Sequence, residues 1–493
     1  MTATESEQTS VLNPSLWDGK IYTTGWTAGS AEPIEVKEPA TGSVLATVGM
    51  ASAADAFAAA TRAAKAQKDW AATKPEDRAA ILRRAGDFFV THAAELGEWV
   101  QRETGAIGAK AALETHVAAN ECFDAAGLPH HPAGDVLTSN ADHWSFARRT
   151  PAGVVAVISP FNFPLILSIR SVAPALALGN TVILKPDPRT PVSGGVMIMR
   201  AFEEAGLPAG VLQLLNGGAE TGAALTEAPE VRIISFTGST AAGRKVGEAA
   251  GRNLKRAHLE LGGNNALIVL PGADLAKAAS AGAFGSFLHQ GQICMTAGRH
   301  LVHESLTNDY VSALREKAEH LPVGDPMSGQ VALGPIIDDR QRDNIHRIVE
   351  EAKAAGATVE AGGTYDNLFY SPTVLTGLDK ENPAWAEEIF GPVAPVMGFS
   401  TLEEAAEIVN SSEYGLSVSI LGDVGEAMKL ADMVHSGKVH INEQTVMDES
   451  NAPFGGVGAS GTGSRFGGYT ANIEAFTETQ WLTVRPDIAP YPF

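Results

Sequence analysis

The 493-residue chain is predicted to be an α/β protein with parallel sheets covered by helices. Short β-branched strands alternate with helical segments from Pro151 onward, and repeated β-α units of this kind form parallel sheets. A second series with the same alternation starts near Ala266 and runs to about Val446. The length also exceeds what one hydrophobic core supports, so two or three domains are expected.

The individual elements follow from periodicity and from breaker residues. Two alanine-rich segments, 52–72 and 76–102, are predicted surface helices. In the first α/β series we predict strands at 153–158, 181–184, 211–215 and 231–236, with helices at 165–178, at 191–205 and after each of the last two strands. In the second series we predict strands at 266–270 and 417–421. The first ten residues are expected to be disordered.

The tail after Met447 has a different composition. It is glycine-rich at Pro453–Gly461 and becomes apolar and aromatic toward Tyr491–Phe493. Such a segment would expose apolar side chains on a monomer, so it is expected to dock on a neighbouring domain or subunit.

Composition restricts the function classes. The formal charge of −21 argues against nucleic-acid binding, which requires a basic face. Two cysteines in so long a chain cannot form a disulfide framework and favour a reducing compartment. The start of the chain lacks the basic and apolar regions of a signal peptide, and no uncharged apolar run reaches 18 residues. We therefore expect a cytoplasmic protein without a membrane span.

Cys294 is the most informative single residue. It lies in the run Phe287–Met295 (FLHQGQICM), where a polar, glycine-containing approach precedes the thiol. A structural cysteine is usually found in a continuous apolar segment. The pattern here is typical of a cysteine nucleophile that works with a base located elsewhere in the chain. Cys122, by contrast, lies in a predicted helix and is expected to be inert.

Two polar residues follow predicted strands at the edge where α/β sheets bind ligands. Asn162, in Ser159–Pro164 (SPFNFP), can aim its amide at a developing oxyanion, or it can be a turn asparagine that bonds to its own backbone. Lys185 ends the next strand, where a lysine reaches phosphate or ribose, or is simply solvated. Both alternatives remain open for each residue.

Two glycine-containing loops lie between a strand and a helix. Phe236–Gly243 (FTGSTAAG) places glycines and a helix N-terminus where a phosphate would be favoured, although serine and threonine there are also ordinary helix caps. Asn216–Gly222 (NGGAETG) has the same placement. Neither loop has the strict dinucleotide-binding spacing.

Two acidic residues precede glycine breaks. Glu260 lies in an apolar strand that ends in paired glycines, so its carboxylate is either salt-bridged or has a raised pKa suited to general-base catalysis. Glu388, before Ile389–Pro392 (IFGP), has a similar context.

Taken in order, seven short motifs resemble those of the aldehyde dehydrogenase superfamily. The motifs are PFNFP (160–164), KP (185–186), FTGSTAAG (236–243), LELGG (259–263), GQIC (291–294), EIFGP (388–392) and PFGG (453–456). The resemblance covers the chain from about Trp17 to Phe493. Within the superfamily it is similar to the aromatic-aldehyde group, bacterial benzaldehyde dehydrogenases in particular, on the runs at 287–295, 168–176, 439–442 and 491–493.

The resemblance implies a catalytic role for three residues. Cys294 would attack the aldehyde carbon as a thiolate, and Asn162 with the Cys294 backbone N–H would hold the oxyanion. Hydride transfer to a nicotinamide cofactor would leave a thioester, and Glu260 would activate the water that hydrolyses it. No metal is implied.

The resemblance also implies the cofactor site. Lys185 and Ser239 would contact ribose and pyrophosphate, while Glu388 and Phe390 would position the nicotinamide and its ribose. The full set of expected cofactor-binding residues is Ser159, Pro160, Phe161, Lys185, Gly218, Gly222, Phe236, Gly238, Ser239, Gly243, Leu261, Glu388 and Phe390.

One position departs from the family pattern. The family often carries a glutamate two residues after Lys-Pro, where this chain has Pro188. That change removes a partner for the adenosine ribose of NAD and a repulsion against the phosphate of NADP. Arg189 either accepts that phosphate or is solvated. We predict NAD as the main cofactor, with NADP possible.

The expected substrate pocket is apolar. Phe161 stands where many relatives have tryptophan, and either ring gives a planar wall for an aromatic substrate. The expected lining residues are Phe161, Phe163, Leu167, Ile293, Met295 and Phe454. Arg170 either steers polar ring substituents or pairs with a structural carboxylate.

The resemblance further predicts how the domains divide and assemble. We expect a Rossmann-like NAD(P)-binding domain at 11–259, interrupted by an arm segment near 128–149, and an α/β catalytic domain at 260–446. Residues 447–493 would return to the cofactor domain and complete a small oligomerisation arm, giving a homodimer or homotetramer. The only other partner expected is a small aldehyde.

Three functions are compatible with these features. The first is NAD(P)-dependent oxidation of an aromatic aldehyde, benzaldehyde-like or of the vanillin or salicylaldehyde type, to its acid. An aliphatic or CoA-acylating aldehyde dehydrogenase is the second, although CoA-acylating relatives usually lack the glutamate base. A catalytically silent binding protein is the third, and the joint presence of Cys294, Glu260 and Asn162 argues against it.

Overall fold

Residues 10–493 are described by a computed structural model. The predicted disorder of the first ten residues concerns a segment that, except for Ser10, lies outside this range. The α-helices are α1 (Pro14–Trp17), α2 (Ala53–Ala72), α3 (Pro75–Thr91), α4 (Ala93–Thr104), α5 (Gly108–Ala125), α6 (Pro164–Ala177), α7 (Met197–Glu204), α8 (Ala219–Glu227), α9 (Thr240–Arg252), α10 (Leu275–Phe287), α11 (Thr307–His320), α12 (Asp339–Ala354), α13 (Pro383–Ala386), α14 (Leu402–Asn410), α15 (Val424–Ala431) and α16 (Tyr469–Phe476). Shorter helical turns lie at Leu128–His130, Val192–Val196 and Leu288–Gly291.

The strands form two large sheets and several small ones. They are β1 (Lys20–Tyr22), β2 (Trp26–Ala28), β3 (Ala31–Lys37), β4 (Val44–Met50), β5 (Gly134–Leu137), β6 (Trp144–Pro151), β7 (Val154–Ile158), β8 (Thr181–Lys185), β9 (Leu212–Leu214), β10 (Val231–Thr237), β11 (Arg256–Glu260), β12 (Asn265–Val269), β13 (Ala297–His303), β14 (Thr358–Ala361), β15 (Tyr365–Asp366), β16 (Phe369–Tyr370), β17 (Thr373–Thr376), β18 (Val393–Phe399), β19 (Tyr414–Gly415), β20 (Ser417–Leu421), β21 (Lys438–Ile441), β22 (Val457–Gly458) and β23 (Thr477–Val484).

The first large sheet has the order β11-β10-β7-β8-β9-β1-β2, and its first five strands are parallel. Alternate residues of β7 face two different cores. Val155 and Val157 pack with α3, α5, α6 and α7, while Val154, Ala156 and Ile158 pack with α2, α8 and α9. Helices therefore cover both faces, as the continuous apolar strands predicted.

The second large sheet has the order β14-β17-β18-β13-β12-β20-β21, with only β14 antiparallel to its neighbour. Its faces pack against α10 and α11 on one side and α14 and α15 on the other. The predicted α/β class with two parallel sheets is thus confirmed.

A third sheet, β23-β6-β5, is antiparallel. It joins the segment before β7 to the last strand of the chain, because Trp144–Pro151 pairs with Thr477–Val484 along its whole length. The segment that leads to β23 also contacts the first sheet, where Leu261 N donates to Ser460 O at 2.9 Å. The exact domain boundaries stay a prediction.

Two helix predictions were wrong in detail. The segment 76–102 is two helices, α3 and α4, separated at His92 (φ −107°, ψ 16°). Both helices pack into the same core, and alanine-rich periodicity does not mark the break between them. The segment 191–205 begins with a π-turn at Val192–Val196, where the buried Glu103 carboxylate accepts the Val192 and Ser193 N–H groups at 2.8 and 2.7 Å.

Among residues 10–493, no helix is long and apolar enough to cross a membrane.

Candidate active site

The Cys294 segment leaves α10 through a sharply bent backbone. His289, Gln290 and Gly291 all have left-handed φ values (50°, 56° and 66°). A Cβ at Gly291 would lie 2.0 Å from the Gly391 carbonyl oxygen, so glycine is required there. Gln290 anchors the bend by donating to the carbonyls of Gly105 and Pro335 at 3.2 and 2.8 Å. The bend therefore fixes where the following cysteine lies.

Two further contacts hold the backbone at Cys294. Asn265 Nδ2 donates to the carbonyls of Cys294 and Thr296, both at 2.8 Å. A Cβ at Gly263 would lie 2.5 Å from the Cys294 carbonyl oxygen, so this close approach also needs glycine. The Cys294 backbone N–H has no hydrogen-bond acceptor among residues 10–493 and is free to donate to an oxyanion.

The Cys294 thiol is protonated in the unliganded protein. Burial raises its pKa to about 12, against an opposing effect of the Lys438 ammonium, and the carboxylates of Glu388, Glu260 and Asp448 raise it further. A reactive thiolate is favoured by positive charge nearby, and here the Lys438 ammonium provides it only in part. Formation of the thiolate requires a base or the electrostatic effect of a bound ligand.

The Asn162 side chain connects its own loop to the Cys294 segment, which is far away in sequence. It is 3% exposed, and its Nδ2 donates to the Gln292 carbonyl at 2.9 Å. The alternative of a turn asparagine bonded to its own backbone is therefore wrong, because the amide is used in a long-range contact. The amide carries two N–H groups, so one remains for an oxyanion.

A buried ion pair between Lys110 and Glu114 holds the backbone at Asn162. Lys110 Nζ donates to the Asn162 carbonyl at 2.7 Å and pairs with Glu114 on the same helix, α5. The other Glu114 oxygen accepts the N–H groups of Leu165 and Ile166 at 3.0 and 3.3 Å, at the N-terminus of α6. Lys110 and Glu114 have fully buried side chains, so the loop that carries Asn162 is fixed on both sides.

Glu260 is the last residue of β11 and is 3% exposed. Its Oε2 accepts the Gly456 N–H at 3.3 Å, and its Oε1 has no hydrogen-bond partner among the described residues. Burial raises its pKa well above the ordinary value, with weaker opposing effects of Arg465, Arg170 and Lys438. The salt-bridged alternative is therefore wrong. Glu260 is close enough to influence Cys294 but lines neither of the cavities described below.

A wide cavity of about 790 Å³ opens at the carboxyl ends of the first sheet. Twelve of the thirteen predicted cofactor-binding residues line it, namely Ser159, Pro160, Phe161, Lys185, Gly218, Gly222, Phe236, Gly238, Ser239, Leu261, Glu388 and Phe390. Gly243 does not, because it packs beneath the loop: a Cβ there would lie 2.2 Å from Leu261 Cδ2.

Polar groups of the wide cavity have defined partners. Ser239 is the N-cap of α9 and accepts the Ala242 N–H at 3.3 Å, which leaves other N–H groups at the helix start unpaired. Lys185 is buried, so the solvated alternative is wrong, and burial lowers its pKa to about 8. Glu388 accepts the Gly263 N–H at 2.9 Å, and burial raises its pKa to about 7.

Arg189 is only partly exposed, and two carboxylates pair with it. It donates to both oxygens of Asp187 at 2.9 Å and to Asp338 at 2.8 Å, and its guanidinium lies 4.0 Å from the centre of the Phe161 ring. Two carboxylates thus neutralise its charge. That arrangement leaves little attraction for an added phosphate.

A narrower cavity of about 210 Å³ meets the wide one at Asn162, Leu167 and Cys294, which line both. Of the predicted pocket residues, Phe163, Leu167, Ile293, Met295 and Phe454 line this cavity. Phe161 lines only the wide cavity, because its ring packs edge-on against Phe390 at 5.9 Å. Its assignment to the substrate pocket was therefore wrong for this structure.

The narrow cavity contains residues that the sequence did not single out. Leu113, Val117, Ile166, Phe284, Leu288 and Val446 add apolar surface, and Gln444, Asp448 and Glu449 add polar atoms from one loop. Arg170 also lines it and pairs with Glu121 at 3.0 Å and Asp448 at 2.7 Å.

Lys110 and Glu114, which support the Asn162 loop, were also not singled out from the sequence. Their i,i+4 spacing could have predicted an ion pair, although not that the pair is buried.

The wide cavity suits a dinucleotide. It combines a free helix N-terminus, glycines at strand ends, a buried lysine and a carboxylate next to two aromatic rings, Phe161 and Phe390. In this arrangement Lys185 and the start of α9 would hold the phosphates and ribose, and Glu388 would bind ribose hydroxyls near Cys294.

Comparison with known proteins gives consistent results. A profile of the aldehyde dehydrogenase family matches residues 26–482. The chain is 62% identical to a vanillin dehydrogenase of Amycolatopsis over 98% of this chain and all of that protein. It is 47% identical to an NAD⁺-dependent benzaldehyde dehydrogenase of Pseudomonas putida over 97% and 98% of the two chains. The crystal structure of a salicylaldehyde dehydrogenase of Pseudomonas putida with salicylaldehyde superposes with a TM-score of 0.92 at 36% identity, covering 96% and 99% of the chains. The chain belongs to the aldehyde dehydrogenase family.

Proposed function

We propose that this enzyme oxidises an aromatic aldehyde to its carboxylic acid with NAD⁺, through a thioester on Cys294. The observation that carries the proposal is that a wide cavity with a buried lysine, a buried carboxylate and a helix N-terminus meets a narrow, mostly apolar cavity at Cys294 and Asn162. A nucleophile at this junction can reach an aldehyde on one side while the hydride leaves toward the other.

The first chemical step is addition of the Cys294 thiolate to the aldehyde carbon. The thiol proton passes to bulk water, and the carbonyl oxygen becomes an oxyanion that accepts from the Cys294 backbone N–H and from Asn162 Nδ2. The contacts of Gln292, Lys110 and Asn265 hold these donors before the substrate arrives, which favours the tetrahedral adduct. As the adduct re-forms its carbonyl it loses a hydride and becomes the thioester, and a nicotinamide held in the wide cavity would accept that hydride.

The second step is hydrolysis of the thioester. Glu260 takes a proton from water, the hydroxide adds to the acyl carbon, and the Cys294 thiolate leaves. The unpartnered Oε1 and the raised pKa of Glu260 suit a general base, and its bond to Gly456 is long enough to exchange for one to water. This role requires the side chain to turn from Gly456 toward Cys294.

The proposed substrate class is an aromatic aldehyde. The named relatives act on vanillin, benzaldehyde and salicylaldehyde. The phenylalanine rings at 163, 284 and 454 give the narrow cavity flat apolar walls, and about 210 Å³ accommodates one substituted ring.

A substrate panel tests this assignment. We expect kcat/KM with NAD⁺ to be at least about tenfold higher for benzaldehyde, vanillin or salicylaldehyde than for hexanal, since a planar ring fills the cavity better than a flexible chain. A preference for hexanal would refute the aromatic assignment, and formation of acyl-CoA on addition of CoA would refute hydrolysis.

We also propose NAD⁺ as the main cofactor, with NADP⁺ accepted less well. Pro188 removes a carboxylate that would exclude the NADP phosphate, but Arg189 is already paired with Asp187 and Asp338 and offers that phosphate little. The ratio of kcat/KM for the two cofactors, measured with one aldehyde, is expected to favour NAD⁺. Strict preference for NADP⁺ would contradict this.

We propose that the β5-β6-β23 sheet mediates a homodimer or homotetramer. Large apolar side chains are exposed on it, with Trp144 and Trp481 66% and 71% accessible. Light scattering after gel filtration is expected to give a mass that is a multiple of 51.4 kDa. Trp481→Glu is expected to lower that mass.

We also propose a cytoplasmic location, because both cysteines are free thiols and the chemistry needs Cys294 reduced. Recovery of the protein in a periplasmic fraction would contradict this location.

A further inference from the structure

The narrow cavity has a mostly apolar lining that includes one buried ion pair. The Arg170 guanidinium, 3% exposed, is paired through Nε with Glu121 and through Nη2 with Asp448. It also lies 5.1 Å from the centre of the Phe454 ring, a wall of the cavity. Arg170 and Asp448 both line the cavity, so this ion pair belongs to the space in which the aldehyde ring would lie.

The ion pair has unused hydrogen-bonding capacity on both partners. Among the described residues, Arg170 Nη1 and Asp448 Oδ1 are buried and have no hydrogen-bond partner. Buried polar atoms without partners are rare in folded proteins, because each one carries the cost of desolvation. The open donor and the open acceptor belong to two groups that pair with each other through their other atoms at 2.7 Å, which indicates a ligand group that can satisfy both.

The chemistry of that group follows from the charges around it. Asp448, Glu121 and Glu449 disfavour a carboxylate on the ring, and Arg170 with Lys438, whose Nζ lies 4.7 Å from the centre of the Phe454 ring, disfavours an ammonium group. A neutral hydroxyl donates to Asp448 and accepts from Arg170 in the same position. A methoxy group can only accept, and a methyl group can do neither.

We propose that the Arg170–Asp448 ion pair is a subsite for a phenolic hydroxyl, so that hydroxybenzaldehydes are preferred over benzaldehydes without a polar substituent. This inference rests on the proposed oxidation of aromatic aldehydes, and it adds which ring substituent the enzyme prefers. Arg170 and Asp448 would then determine specificity without taking part in the chemical steps.

The test compares matched substrates that differ by hydroxyl against methyl. The kcat/KM ratio of hydroxy- to methylbenzaldehyde is measured with NAD⁺ at ring positions 2, 3 and 4. For the native protein we expect a ratio of roughly 10 to 100 at one position at least, the size of a hydrogen bond to a charged group. A ratio below about 3 at all three positions overturns the proposal.

Variants of the same loop complete the test. Asp448→Ala is expected to bring the ratio below about 3, and Asp448→Asn, which keeps the shape of the side chain, to lower it at least threefold. Glu443→Ala removes an exposed acid of this loop that does not line the cavity, and should leave the ratio unchanged. If the ratio is unchanged in both Asp448 variants, the subsite is overturned. The proposed function still stands in that case, provided that the native protein oxidises benzaldehyde. Failure of the native protein to oxidise any of these aldehydes overturns both.

Discussion

The two cavities that meet at Cys294 are built in different ways. The wide cavity is formed by loops that follow the strands of the first sheet and by the helices α8, α9 and α12, and glycines, a helix cap and a strand-end lysine lie at its surface. The narrow cavity is formed by side chains from α5, α6, α10, the Cys294 segment and the loop after β21. One cavity is therefore a property of local chain geometry, and the other a property of long-range packing.

The difference separates two tasks of the enzyme. Backbone N–H groups after strand ends can bind the phosphates of a cofactor with little dependence on the side chains of the loop. Such a site therefore suits a cofactor that many enzymes share. The narrow cavity, in contrast, can change its shape and polarity through single side chains such as Asp448 without disturbing either sheet. Variants at the junction should affect chemistry, and variants in one cavity only should affect one ligand.

The largest effect is expected for Cys294→Ala, which removes the group common to both cavities. Aldehyde oxidation should fall at least about 10⁴-fold because no covalent adduct can form, while the Kd for NAD⁺ changes less than about threefold. Initial rates and isothermal titration measure the two quantities. Cys122→Ala is the matched control, since that thiol is buried in α5 away from both cavities. Oxidation undiminished by Cys294→Ala would refute the mechanism.

Asn162→Ala should give the next largest effect. Loss of one oxyanion donor is expected to lower kcat about 10²- to 10³-fold, or roughly 3–4 kcal/mol in transition-state stabilisation, with a small change in KM. Steady-state kinetics with a saturating aldehyde provide the measurement. A fall in kcat of less than about threefold would show that Asn162 has only its structural contact with Gln292.

These residues also show how far the sequence could predict the molecule. The wide cavity could be predicted, since Lys185 and Ser239 lie at or just after strand ends that periodicity locates, and Gly218 is the N-cap of the helix that follows another strand. Gly243 was misplaced because the motif does not tell a glycine that faces a ligand from one that faces Leu261. Phe161 was assigned to both cavities but lines only the wide one, because its ring direction depends on Phe390 and Arg189, which are distant in sequence or lie in another segment.

The support beneath the site was harder to predict. Lys110 and Glu114 lie in a helix whose sequence contains nothing that marks them as buried, and Asp448 lies in a loop with no periodic pattern. Their roles arise only when α5, α6 and the loop after β21 pack together. The sequence left two alternatives for Arg170, and pairing with a carboxylate was one of them. The structure shows in addition that Asp448, one of its partners, lines the narrow cavity.

A smaller effect is expected for Glu114→Gln. Lys110 would lose its charged partner, and the Asn162 loop would be held less firmly, so kcat should fall about tenfold with little change in KM. The thermal midpoint should also fall, because breaking a buried ion pair leaves an uncompensated charge worth about 3–5 kcal/mol. Glu98→Gln, an exposed change on α4, serves as the control. An unchanged kcat in a destabilised variant would make the pair purely structural.

The smallest effect concerns the wide cavity alone. Pro188→Glu should raise the NAD⁺ to NADP⁺ ratio of kcat/KM by about tenfold, since a carboxylate there accepts from ribose and repels the added phosphate. The KM for the aldehyde should not change if the two cavities are independent. A changed aldehyde KM would argue against the separation of tasks drawn above.

The most direct test of the central claim is to trap the thioester in Glu260→Gln. A rapid-mixing experiment with NAD⁺ and benzaldehyde should give a burst of one NADH per active site, followed by turnover slowed about 10²- to 10³-fold. Intact-protein and peptide mass spectrometry should locate one aroyl group on Cys294. Because burial raises the pKa of Glu260, its basic form is gained only above the usual carboxylate range, so native deacylation should accelerate as the pH rises beyond that range while the variant responds less. Full turnover by Glu260→Gln, or a burst without an acyl group on Cys294, would contradict the account.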